Sequence, residues 1–190
     1  MGILRAASAG ALWSLISLLG CSAVQAENLL PQAAAVTLVP QTHIRVYFTP
    51  GDSAESAIVE ALLGAKESIL VQAYSFTNPA IAAALVDARS RGVNVVILLD
   101  KSQRSQKYSA ADFTNNAGVT TLIDDRHAIA HNKIMIIDGR VVITGSYNFT
   151  KAAEKSNAEN VVIIESGAVA EKYLNNWQKH RRHSQPYLRR

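Results

Sequence analysis

The chain has 190 residues, 48% of them hydrophobic and 18% charged, with a formal net charge of +4. That is room for one domain with a sizeable core, and the regular apolar runs exclude a disordered chain. The mild basic excess permits a polyanionic partner without demanding one.

Residues 1–26 read as a signal peptide. Arg5 supplies a thin positive region, residues 11–19 an apolar core too short to span a bilayer comfortably, and Val24-Gln25-Ala26 small residues for cleavage. A lipoprotein signal ending at Cys21 is the rival reading. Cleavage after Ala26 removes Cys21, the only cysteine, so the mature chain has no disulfide despite its expected periplasmic or secreted location. Nothing later in the sequence is long and apolar enough for a membrane span.

Residues 27–42, with Pro31 and Pro40, form a leader. The catalytic domain is expected over 43–184, followed by a basic tail, 185–190. Residues 44–48 alternate as a strand, with His43 at its edge. Asp52-x-x-Glu55 has the spacing of a capping box opening a helix with Ala57, Ile58, Ala61 and Leu62 on one face. Residues 69–74 form a strand. Asn78-Pro79 starts a second helix, with an N-cap before proline, and Gly92 stops it. The nearly continuous apolar run 93–99 predicts a strand covered on both faces. Residues 101–108, with Lys101, Arg104 and Lys107, read as a basic loop. A short helix over 109–116 and a strand over 119–123 follow. After a hairpin come a strand over 160–164 and a last helix from Gly167, with Val169, Tyr173 and Trp177 facing inward. Alternating β and α elements with a terminal antiparallel hairpin predict an α/β sandwich. Its mixed sheet has about seven strands, flanked by helices on both faces.

The hairpin carries the chemistry. His131-x-Lys133 precedes an apolar run ending at Asp138-Gly139, and a second run, 141–143, ends at Gly145-Ser146-x-Asn148. A two-residue turn at Gly139-Arg140 sets His131 opposite Asn148 and Lys133 opposite Ser146. A turn at Asp138-Gly139 sets His131 opposite Ser146. Either register returns Ser146 and Asn148 to the face of His131 and Lys133. An imidazole, an ammonium, a hydroxyl and a carboxamide at one sheet edge suit a phosphodiester. Lys133 and Asn148 donate to phosphate oxygens, and the imidazole serves as nucleophile or general acid/base near neutral pH. Asp138, seven residues and about 23 Å along the strand from His131, reads as structural, capping the turn.

The pattern His-x-Lys-x4-Asp-x6-Gly-Ser-x-Asn resembles the HKD signature of the phospholipase D superfamily, matched at His131, Lys133, Asp138, Gly145, Ser146 and Asn148. The single motif is similar to that of the superfamily's small bacterial endonucleases, which carry a further Glu about eleven residues after the Asn. Glu159 falls there. The resemblance implies attack by His131 on phosphorus, a phosphohistidine, and its hydrolysis by water. Lys133 and Asn148 would stabilise the developing charge. Glu159 would orient the imidazole. Ser146 would either bind phosphate or shape the turn.

The expected function is thus a metal-independent phosphodiesterase acting on nucleic acid, DNA favoured, most simply an endonuclease. No cofactor is expected. One alternative is a phospholipid phosphodiesterase of the same superfamily, although no apolar surface stretch stands out to seat on lipid. The other is a catalytically silent nucleic-acid-binding module. With one motif per chain, the second imidazole of a two-step reaction implies a homodimer sharing one site. His127, in Asp124-Asp125-Arg126-His127, reads as a solvated loop residue, and no metal site is expected. The run Lys179, His180, Arg181, Arg182, His183 has two readings: cations complementing a helix C-terminus, or a nucleic-acid contact surface.

Overall fold

A computed structural model of the protein describes residues 42–188; the expected signal peptide, nearly all of the expected leader and the last two arginines lie outside the described residues. Eight strands form one mixed sheet in the order β1-β7-β6-β5-β2-β3-β4-β8. They are β1 (His43–Thr49), β2 (Ser68–Ala73), β3 (Asn94–Asp100), β4 (Thr120–Asp124), β5 (Lys133–Ile137), β6 (Val141–Gly145), β7 (Glu159–Glu165) and β8 (Gln185–Pro186). The helices are α1 (Ala54–Gly64), α2 (Pro79–Ser90), α3 (Ala111–Asn116), α4 (Lys151–Lys155) and α5 (Gly167–Arg181).

Strands β2, β3 and β4 run parallel, joined by helical crossovers, whereas β5, β6, β7 and β1 are antiparallel to their neighbours. Strand β3 is buried along nearly its whole length, as its unbroken apolar run requires. One face of the sheet buries Ile69, Val71, Ile97 and Met135 with Ile58, Leu62, Ile81 and Leu85 of α1 and α2. The other packs Leu98, Ile134, Ile136 and Val142 against Ala170 and Trp177 of α5. Trp177 Nε1 also donates to the Val71 carbonyl, at 3.0 Å, so the helix is anchored to the sheet by a hydrogen bond as well as by area.

Several local expectations change. The Asp52/Glu55 capping box does not form: Ser53 is the N-cap, with no side-chain bond. Asp52 instead accepts from Phe48 N–H, and Glu55 N–H donates to Glu154. The Asn78 cap holds, its side chain accepting from Ala80 and Ile81 N–H. Residues 101–104 wind into a 3₁₀ turn capped by Asp100. The basic tail begins as a strand: β8 pairs with β4, and Tyr187 is buried with its hydroxyl donating to Asp112.

The hairpin register differs from both expected ones. Ile134 pairs with Thr144 and Ile137 with Val141, so three residues, not two, separate the strands. Asp138 and Gly139 take left-handed φ values of 50° and 61°, and Arg140 N–H closes the turn onto the Ile137 carbonyl. Arg140 is the extra residue, its carbonyl accepting from Ser166 N–H. Continued regularly, this register would send Ser146 and Asn148 to the face opposite Lys133.

Candidate active site

The chain avoids that outcome by leaving the ladder at Gly145, where φ is +149° and Asn160 crowds the backbone. Past it, Ser146 N–H donates to Asn160 Oδ1 (2.9 Å), Ser146 Oγ–H to Glu159 Oε2 (2.6 Å), and Asn160 N–H to Ser146 Oγ (3.0 Å). The serine's single proton is therefore spent inside the turn. Phe149 then bridges to Phe76, and its carbonyl accepts from Thr77 and Asn78 N–H. Asn148 is thereby held between the β6–α4 segment and the β2–α2 loop, and its Oδ1 is buried with no hydrogen-bond partner. A buried amide oxygen left unpaired costs about 1–3 kcal/mol, which marks the position as one kept for something other than stability.

The other half of the site enters along the 125–132 loop. Asp100, buried at the end of β3, accepts from Ala130 N–H at 2.7 Å, and Tyr74 N–H donates to the Asn132 carbonyl at 2.9 Å. These two bonds fix the backbone on either side of His131. The imidazole is exposed and lies against the Tyr74 ring, with centroids 4.6 Å apart. Lys133 is 7% exposed. Its ammonium donates to the His131 carbonyl at 2.9 Å and stands 5.3 Å from the centre of the Tyr74 ring. An ammonium has three protons, so two remain for an incoming anion. Burial pulls the Lys133 pKa below the ordinary lysine range, and the charge of Glu159 opposes the shift.

The resemblance implies that Glu159 orients His131; within one chain the structure records no hydrogen bond between them, one Glu159 oxygen being taken by Ser146 and the other by Asn157 Nδ2, at 3.0 Å. Its influence on the site is the field at Lys133. Asp138 lies at the far end of β5, where its carboxylate accepts from the backbone N–H groups of Lys66, Glu67 and Ser68 at 3.0, 2.8 and 2.9 Å. Tyr74 and Asp100 are site residues that the motif does not announce. A tyrosine ending one strand and an aspartate ending the next carry no signal until the parallel strands bring their C-termini to one edge.

His127 is not a lone solvated imidazole. It faces Asp124 together with His180 and His183. The two histidines of the basic run thus point at an acid, leaving Lys179, Arg181 and Arg182 as its cations.

A family model described as "Cardiolipin synthase, PLD-like domain" matches residues 58–181. Phospholipase D of Rickettsia bellii is 44% identical over 142 residues, 75% of this chain and 71% of that protein. Mitochondrial cardiolipin hydrolase of Xenopus laevis is 32% identical over 128 residues, 67% of this chain and 61% of that protein. Among solved structures, Nuc from Salmonella typhimurium, a phospholipase D family member, aligns with a TM-score of 0.75 at 38% identity, covering 79% of this chain and 100% of that one. NucT from Helicobacter pylori shares the fold, with a TM-score of 0.72 at 22% identity over 77% of this chain and 100% of that one.

Proposed function

Because the chain belongs to the phospholipase D superfamily and is a phosphodiesterase of that group, we propose that it hydrolyses nucleic acid as an endonuclease, in a site shared by two copies of the chain. The observation that carries the chemistry is the pairing of an exposed imidazole with a buried ammonium that has protons to spare. Lys133 and Asn148 hold the non-bridging oxygens of the phosphate. His131 attacks phosphorus, the P–O bond to the leaving group breaks, and the departing oxygen takes a proton from the partner subunit's His131. That second imidazole then removes a proton from water. The water attacks phosphorus, the P–N bond breaks, and a phosphomonoester and free His131 result. Positive charge comes from Lys133, so no divalent cation is needed at the phosphate.

The surroundings support a polynucleotide. The basic segment after β3 is lashed to the loop that delivers His131: Lys101 Nζ donates to the His127 carbonyl at 3.0 Å and Arg104 pairs with Asp125 at 3.5 Å. Next to it stand the exposed rings of Tyr108 and Phe113, with the Lys107 ammonium 5.3 Å from the Tyr108 ring centre. Cations interleaved with open aromatic faces suit phosphates and stacked bases. The shared site is supported by edge strand β1, where Ile44, Val46 and Phe48 are 60%, 48% and 62% exposed on one face. That stripe runs up to Phe48, which borders Ser146 and Glu159.

A second reading is a phospholipid phosphodiesterase, favoured by the names of relatives 44% and 32% identical to this chain. Purified protein assayed without added divalent metal on plasmid DNA, single-stranded DNA and RNA, and on phosphatidylcholine and cardiolipin vesicles, decides between them. Cleavage of nucleic acid with intact vesicles supports the first reading. Headgroup release alone supports the second, and no turnover on any substrate supports a silent binding module. We further propose export with cleavage after Ala26, which N-terminal sequencing of the mature protein tests.

A further inference from the structure

Away from His131, three imidazoles converge on one buried carboxylate. Asp124 ends β4 with its side chain 1% exposed. His180 Nδ1 lies 2.6 Å from Asp124 Oδ2, while His183 Nε2 and His127 Nδ1 lie 3.1 and 3.3 Å from Oδ1. The ring centroids form a nearly equal triangle, 4.9, 5.4 and 5.5 Å on a side. One donor atom from each of the four residues lies within 4.8 Å of all the others.

Three separate elements build this cluster. His180 lies in the last turn of α5 and His183 in the turn just past its end, where its N–H donates to the His180 carbonyl at 3.3 Å. His127 comes from the 125–132 loop and Asp124 from the strand before it. Asp124 Oδ1 also accepts from Arg126 N–H at 3.3 Å, so the carboxylate is amply supplied with donors. Three imidazoles around it would repel one another if charged; if neutral, each nitrogen facing the carboxylate carries the proton it donates, and a shift of tautomer on metal binding would turn three lone pairs onto one point beside an anion. Three neutral nitrogens and one carboxylate oxygen are a complete donor set for tetrahedral zinc, with metal–ligand distances of about 2.0–2.2 Å.

We propose that Asp124, His127, His180 and His183 bind one zinc-type divalent cation per chain, in a structural site. Four protein ligands leave no open position for substrate, which distinguishes it from a catalytic centre. In the sheet order β4, which ends at Asp124, is three strands from β5, roughly 14 Å at about 4.8 Å per strand, and none of the four ligands belongs to the HKD set. It pins the end of α5 to the sheet and fixes the loop four residues before His131. The inference does not depend on which substrate the enzyme takes.

The test uses the full chain, stripped with EDTA and desalted, then titrated with zinc against a chromophoric chelator and, separately, with cobalt. Expected are one equivalent bound per chain below about 1 µM, tetrahedral cobalt absorption, and a rise in melting temperature with zinc. His180→Gln/His183→Gln, which keeps hydrogen-bonding groups near Asp124, should weaken uptake at least about 100-fold with an unchanged circular dichroism spectrum. His127→Ala, a loop variant that leaves the α5 contacts in place, should weaken it at least about tenfold. His131→Ala should bind as the unaltered protein does. No stoichiometric uptake, or uptake unchanged in either the double variant or His127→Ala, overturns the proposal.

Discussion

Gly145 sits so close to Asn160 that a side chain at 145 would place its Cβ under 3.0 Å from the Asn160 carbonyl oxygen. Its φ of +149° is a second bar to any other residue. This contact is where β6 leaves the ladder and the Ser146–Asn148 segment swings toward the imidazole edge. Gly145→Ala should therefore lower stability by about 2–4 kcal/mol and lower activity further than the folded fraction explains. Chemical denaturation combined with single-turnover rates separates the two effects; an alanine variant of normal stability and rate would contradict this account.

His131→Ala should lose about 10⁴-fold or more in turnover, since the attacking group is gone. Lys133→Ala should lose about 10²–10³-fold, the usual consequence of removing one donor to a developing oxyanion. Both can be read on a chromogenic phosphodiester. Labelled phosphate trapped on a residue other than His131 would disprove the assignment.

The carboxylate of Asp138 gathers three backbone N–H groups, and these bonds, with Arg140 nearby, outweigh the effect of burial and hold its pKa below the ordinary aspartate range. A carboxyl whose folded pKa is depressed contributes stability above its unfolded pKa, about 3.9, and loses it as pH falls through the folded value. Asp138→Asn should cost about 1–2 kcal/mol at neutral pH, discounted for partial exposure. The gap between the two proteins should shrink below about pH 4; one that stays constant down to pH 2 would count against the mechanism.

If two chains share one site, a mixed dimer of intact and His131→Ala subunits should have far less than half the activity of the intact dimer. Half activity would mean independent sites. Val46→Glu, which places a charge in the exposed stripe of β1, should yield monomers in sedimentation and remove activity with them. A fully active monomer would refute the shared site.

The sequence by itself determined the order and kind of nearly all the elements, because the period of an apolar run, an Asn-Pro cap and a stop glycine are local signals that tertiary contacts did not override. The run 93–99 is the buried β3, and Asn78 caps α2. The HKD residues and the family were legible for the same reason, since a motif is a spacing along the chain. The hairpin register was not legible. Asp-Gly marks a turn but does not count its residues, and the extra Arg140 is held by Ser166 from beyond β7. Nor could the sequence foretell that Asp52 and Glu55 would find partners at Phe48 and Glu154, or that Glu159 would spend both oxygens on Ser146 and Asn157. Tyr74 beside His131, Asp100 holding Ala130, and His127 with His180 and His183 around Asp124 were decided by tertiary structure alone. Their partners lie far apart in the chain, and only the parallel strands and the docking of α5 through Trp177 bring them to one edge.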